Sequence, residues 1–323
     1  MFNATLNTVT LELELSPRTG FLIKADTKGG NLLHPERPDL MALRGRAPDH
    51  LGGQESVFIP GSSLKGVVRS AAERVLRSLN PGDAASMACD PMDHKSDCHA
   101  KASRLGDDIA RGKVKREQYP MAPVYRMLCG ACRCFGSQAL AGRIRFADAY
   151  PADEKALRTA NKTETRAGVS IDRRSGGPAR GKLYESEVVV AGSFAVRIHM
   201  ENVQLWQVAL IGVVLEDLRE GIVRVGSGKT RGLGMMDVTP RALRYRQLGA
   251  PGVPAGVGAL APALAQPYGL IDGDTLREVP AAWAADDPVF RVWEATGTDV
   301  WDFFRRCQTQ GPWQALVAAG SGR

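Results

Sequence analysis

Five of the chain's six cysteines fall in one window: Cys89, Cys98, Cys129, Cys132 and Cys134. Cys129-Gly130-Ala131-Cys132 is a CxxC turn with a glycine between its thiols, and Cys89 and Cys98 form a second pair upstream, with His94 and His99 beside it. Two ligand pairs joined by a loop suit a tetrahedral zinc ion, because a short turn brings two thiolates onto one metal. The expected ligands are Cys89, Cys98, Cys129 and Cys132; His94 or His99 can stand in for Cys98, and Cys134 for Cys132. Zinc would staple residues 81–136, a polar insertion with almost nothing apolar to bury. A redox CxxC is disfavoured, since no thioredoxin-like βαβ pattern surrounds it.

Two other stretches are suited to phosphate. Residues 59–69 read IPGSSLKGVVR: Pro60 and Gly61 end an extended run, Ser62 or Ser63 is placed to cap a helix, and Lys65 and Arg69 share one helical face. A helix start with free N–H groups, hydroxyls and cations attracts anions. Residues 226–234, GSGKTRGLG, combine four glycines with Lys229 and Arg231. The GKT invites a P-loop reading, but that motif needs glycine where Val223 stands. What remains is a loop whose backbone can approach a ligand closely. A third basic feature is the tip of a long hairpin, where Arg173, Arg174, Arg180 and Lys182 surround Gly176, Gly177 and Gly181. Its arms are the alternating runs VSIDRR and LYESEVVV.

Acid–base candidates are sparse. Pro38-Asp39-Leu40-Met41 sets a carboxylate between apolar neighbours, with Arg44 and Arg46 just beyond. On its own such an aspartate reads as a turn-former or a solvated charge. His34 and His50 lie in the same loop and are candidates for a general base.

The elements that must position these groups follow from periodicity. Val9, Leu11, Leu13 and Leu15 alternate with polar residues, as in a strand with one buried face. Residues 64–79 carry apolar side chains at helical spacing, residues 143–149 and 194–200 read as strands, and residues 205–218 as a helix apolar on most sides. Residues 222–225 read as a short strand. Residues 26–58 read as a long loop, 246–268 as an Ala/Gly/Pro linker, and 269–323 as an extension with four of the five tryptophans, which suits packing more than base reading. No apolar run is long enough for a membrane span and no leader is evident, so the chain reads as cytoplasmic. Lys plus Arg exceed Asp plus Glu by seven, which favours a polyanionic partner.

The strand at 9–15, IPGSSLKG with its helix, the segment at 129–136, the VSIDRR hairpin with KLYESEV, and GSGKTRGLG, in this order, resemble the RAMP superfamily. They are most similar to backbone subunits of type III CRISPR interference complexes. The resemblance spans about residues 9–238. It implies an α+β fold with a ferredoxin-like, RRM-related core (1–245) that carries a zinc-binding insertion (81–136) and a projecting β-hairpin thumb (160–190). It further implies a guide RNA held by Ser62, Ser63, Lys65, Arg69, Arg44, Lys229 and Arg231, with Arg173, Arg174, Arg180 and Lys182 on the thumb. Sequence reading would be left to base pairing with a complementary target RNA. By the same resemblance Asp39, with Asp26 in reserve, would cleave the target with Mg2+ or Mn2+, and the other complex subunits would be partners. A non-cleaving scaffold subunit and a guide-processing ribonuclease using His34 or His50 are the competing expectations.

Overall fold

The protein is represented by a computed structural model that describes residues 3–25, 38–80, 82, 87–90, 92–93, 98, 121–138, 140–249, 252–310, 313 and 316, with backbone alone at 180–182. Asp26, His34, His94 and His99 lie outside the described residues.

A six-stranded antiparallel sheet organises the chain. Strand β1 (Asn7–Pro17) buries Val9, Leu11, Leu13 and Leu15, as the alternation required. It lies between β7 (Phe194–Glu201) and β8 (Met236–Gln247). β4 (Ile144–Phe146) flanks β7, while β10 (Arg291–Thr296) and the short β9 (Ala284–Ala285) extend the other side. Helices α1 (Gly61–Leu79) and α5 (Leu205–Arg219) contribute Leu64, Val68, Leu76, Leu210, Val214 and Leu218 to the single main core that also holds the inward face of β1. In chain order the skeleton is therefore β1-α1-β4-β7-α5-β8.

Two insertions interrupt it. The first carries α2 (Met121–Met127) and α3 (Gly130–Phe135). The second carries α4 (Glu154–Ala160) and a hairpin of β5 (Thr163–Ile171) and β6 (Pro178–Val189). The loop before α1 is more ordered than its composition suggests: β2 (Arg44–Arg46) pairs with β3 (Glu55–Val57) around a 3-10 turn at Asp49–Leu51.

Three local expectations differ from the structure. Residues 222–225 form no strand, because Val223 N–H bonds back to Asp217 O at 3.0 Å and closes the end of α5. Neither Ser62 nor Ser63 caps α1: the helix opens at Gly61, whose N–H donates to Asp148 Oδ1 at 2.8 Å. The composition-defined linker contains α6 (Val257–Leu260) and α7 (Pro262–Tyr268), with Ala255, Val257 and Ala265 buried.

Beyond it, α8 (Asp299–Thr309) packs on α5. Gly212 permits this, for a Cβ there would lie 2.6 Å from that of Phe304. The extension also reaches back through Asp274, a fully buried carboxylate that accepts the Leu205 N–H at the start of α5. Burial drives its pKa up to about 7.

Candidate metal centre and nucleic-acid interface

The cysteine centre is built by two segments meeting over α1. Cys129 is the N-cap of α3, and its sulfur accepts the Cys132 N–H at 3.4 Å, so the CxxC turn puts both thiols on one side. Cys98 Sγ accepts the Cys129 N–H at 3.3 Å. The ligand atoms of Cys89, Cys98, Cys129 and Cys132 all lie within 4.8 Å of one another. Cys89 and Cys132 stand 3.8 Å apart, the edge roughly expected of a tetrahedron with metal–sulfur bonds of about 2.3 Å. Four soft donors at tetrahedral spacing fit a thiophilic metal ion. Without one, the sulfurs must share protons: hydrogen bonding to Cys132, then to Cys89 and Cys98, pulls the Cys129 thiol down, and its partner Cys132 is pushed up. Cys134 belongs elsewhere; it is buried against Gln207 Nε2 at 3.3 Å, and desolvation raises its pKa to about 12.

Arg69, expected on RNA, faces this centre. Its guanidinium donates to Glu73 at 2.9 Å, to Gly136 O at 3.2 Å and to Cys132 Sγ at 3.5 Å. Desolvation lowers its pKa, but Glu73 and the Cys132 and Cys129 sulfurs outweigh that and leave it above its usual value. Lys65, one turn earlier, lines a concavity of about 480 Å³ beside the cysteines and a second of about 600 Å³ with Ser62, Arg143 and Arg145. The first helical bond of α1 runs from Leu64 N–H to Pro60 O, so the Ser62 and Ser63 amides precede it, and Ser62 is exposed. The acid Asp148 on the Gly61 amide makes this helix start less hospitable to an anion than the sequence implies.

A second cluster gathers at the root of the hairpin. The exposed Asp39 accepts the Glu185 N–H at 2.8 Å, and Leu40 pairs with β6 through Glu185 O and the Glu187 N–H. Arg44 forms an ion pair with the buried Glu187, which also accepts the Ala42 N–H at 2.9 Å and the Thr163 hydroxyl at 2.7 Å. Burial alone would raise the Glu187 pKa; Arg44, Thr163 and Ala42 together hold it at about 2. Arg44 is thus spent inside the protein, and no sequence spacing announced its partner.

Tyr184 of β6 packs across Gly168 and meets Arg231, whose guanidinium bonds its hydroxyl. The glycine-rich loop therefore touches the hairpin. Positive φ at Gly226 and Gly234, where a Cβ would strike Leu22 O and Val225 O, explains why glycine stands there. Lys229 and Arg231 are exposed, as are Arg173 and Arg174 at the tip, where Asp172 accepts the Arg174 and Ser175 amides. Val169, Ile171 and Leu183 are exposed along the arms. Asp39 is tied to the β6 backbone next to Tyr184, which in turn bonds Arg231, whereas no hydrogen bond or ion pair among the described residues joins the three to Ser62 or Lys65. His50 sits apart, on a concavity of about 390 Å³ with Tyr150, Arg197 and Arg241. The open sheet face there carries paired charges, Glu12–Arg197 at 2.6 Å and Glu14–Arg241 at 2.8 Å.

An antiparallel sheet with two helices packed on it, a cysteine centre, and a hairpin joined to a glycine-rich loop define a protein of the α+β class. Residues 47–237, more than half of the chain, match the RAMP superfamily, and the chain belongs to that family. The family includes subunits of type III CRISPR complexes and some ribonucleases. No curated protein matches the chain. No helix among the described residues is long and apolar enough to cross a membrane.

Proposed function

We propose that the protein is a guide-RNA-binding backbone subunit of a type III CRISPR effector complex, cleaving complementary target RNA. The β1-α1-β4-β7-α5-β8 order with strands arranged β4-β7-β1-β8 supports a ferredoxin-like core. Hairpin β5–β6 is the thumb, the cysteine centre is a structural zinc site, and Lys65, Lys229 and Arg231 grip ribose-phosphate backbone. Arg173 and Arg174, with Arg180 and Lys182, serve the thumb.

One observation carries the cleavage reading: an exposed carboxylate, Asp39, is fixed to the backbone of β6 one residue from the tyrosine that holds Arg231. A target strand lying along the hairpin root would pass both the acid and the glycine-rich loop that carries the cation. The described residues offer Asp39 as one carboxylate and no cluster of three oxygen ligands, so a Mg2+ or Mn2+ ion would be shared between Asp39 and RNA phosphates. Such an ion supplies charge neutralisation at phosphate. Asp39 itself would orient the 2′-hydroxyl or accept its proton. Asp26 keeps its reserve role.

The scaffold reading draws on the same hydrogen bond, because an aspartate that caps a backbone N–H also has a structural use. Asp39→Asn, which keeps an acceptor but loses the charge, separates the two. Cleavage of a labelled target by the assembled complex is expected to fall at least about 100-fold with target binding intact. Unchanged cleavage would make this a scaffold subunit.

A further inference from the structure

We propose that Arg69, Glu73 and Arg77 of α1 form a clamp that positions the thiolates of the metal centre, Arg69 being its countercharge and not a guide-RNA contact. The inference rests on the metal reading above and deepens it. The three residues recur every four positions and so share one stripe of the helix. Glu73 is at the middle, taking Arg69 Nε at 2.9 Å and approaching Arg77 Nη2 at 3.6 Å. Each arginine then reaches a different ligand segment. Arg69 donates to Cys132 Sγ and to Gly136 O, the residue closing α3. Arg77 donates to Ala88 O at 3.2 Å and to Cys89 O at 2.9 Å, gripping the backbone that carries the other ligand pair's first cysteine.

Chemistry explains why cations stand here. A divalent ion on four thiolates leaves a surplus of negative charge, and these sulfurs are buried. A guanidinium donating to one sulfur offsets that surplus, and donation from a fixed neighbour also orients the ligand. All three side chains are largely sheltered, with 33, 15 and 35% of Arg69, Glu73 and Arg77 exposed, whereas a backbone-gripping cation needs an open face. The neighbouring Lys65 makes no hydrogen bond or ion pair among the described residues and lines both concavities, whereas Arg69 lines only the one beside the cysteines, which leaves Lys65 as the RNA-facing cation at the start of this helix.

The experiment compares full-length wild type, Arg69→Gln, Arg69→Lys, Arg77→Gln and Lys65→Ala, each loaded with Zn2+ and separately with Co2+. Transfer of zinc to a colorimetric chelator is followed in time, the cobalt–thiolate absorption is recorded, and binding of a guide-like RNA is measured in parallel. Arg69→Gln and Arg77→Gln are expected to weaken metal retention about 10–100-fold. Arg69→Gln should also shift the cobalt–thiolate band, and Arg69→Lys should recover part of both effects. Lys65→Ala should lose RNA affinity with metal retention unchanged. Wild-type release rates and spectra in both glutamine variants, or an RNA defect in Arg69→Gln with the metal held normally, would overturn the clamp. Wild-type protein that takes up neither ion would overturn the metal reading itself. A variant that does not fold is replaced by its partner in the clamp, since either arginine suffices for the release assay.

Discussion

Replacing Glu187 by glutamine should loosen the whole segment that presents Asp39. The carboxylate gathers Arg44, the Ala42 N–H and the Thr163 hydroxyl, tying residues 42–44 and the base of β5 to β6. Its pKa falls from 4.5 to about 2 on folding, a shift worth about 3 kcal/mol at neutral pH. The sign follows from the depression: the stabilisation is complete above the unfolded value of 4.5 and disappears as pH drops toward 2. About half should remain near pH 3. Glutamine keeps the shape but leaves the Arg44 guanidinium half-buried without its counter-ion, so Glu187→Gln should cost about 3 kcal/mol at pH 7. Urea unfolding from pH 7 down to pH 3 checks this, with limited proteolysis reporting on the stretch before β2. The gap between wild type and variant should narrow steadily below pH 4.5. A cost under about 1 kcal/mol at pH 7, or a gap that does not change with pH, would refute the reasoning.

Asp274 has the opposite sign. Its folded pKa, raised from 3.8 to about 7, means that stability is lost as pH climbs between those values. Asp274→Asn retains an acceptor for the Leu205 N–H and should raise the melting temperature at pH 8 while leaving it unchanged near pH 4. In the core, Gly212→Ala removes an intrinsic helix penalty of about 1 kcal/mol yet drives a methyl into the Cβ and Cγ of Phe304. Overpacking should win, destabilising the protein by about 1–3 kcal/mol in chemical denaturation.

The parts of the structure that were legible in the sequence are those written in local spacing. Alternation over 9–15 announced β1, and the helical repeat over 64–79 announced α1. The paired cysteines announced their own convergence, because a CxxC turn carries its geometry within four residues. What could not be read is partner choice across long separations. Arg44 and Arg69 looked alike as basic residues near a phosphate-binding turn, but one is held by Glu187, 143 residues away, and the other by a sulfur 63 residues away. The Ala/Gly/Pro stretch misled because small residues suit tight packing as well as a free tether. Ala255 and Val257 are fully buried where the extension folds back on the sheet.

The position of β1 bears on how the chain can be made. Both of its neighbours in the sheet, β7 and β8, emerge from the ribosome roughly 180 residues or more after it. At about 5–20 residues per second the nascent strand waits on the order of 10–40 s with an apolar face uncovered. Holdase chaperones, or slow translation ahead of residue 194, should therefore matter more for yield than for the finished protein's stability. A split version that supplies residues 3–25 as a separate peptide has an open slot between β7 and β8 to fill.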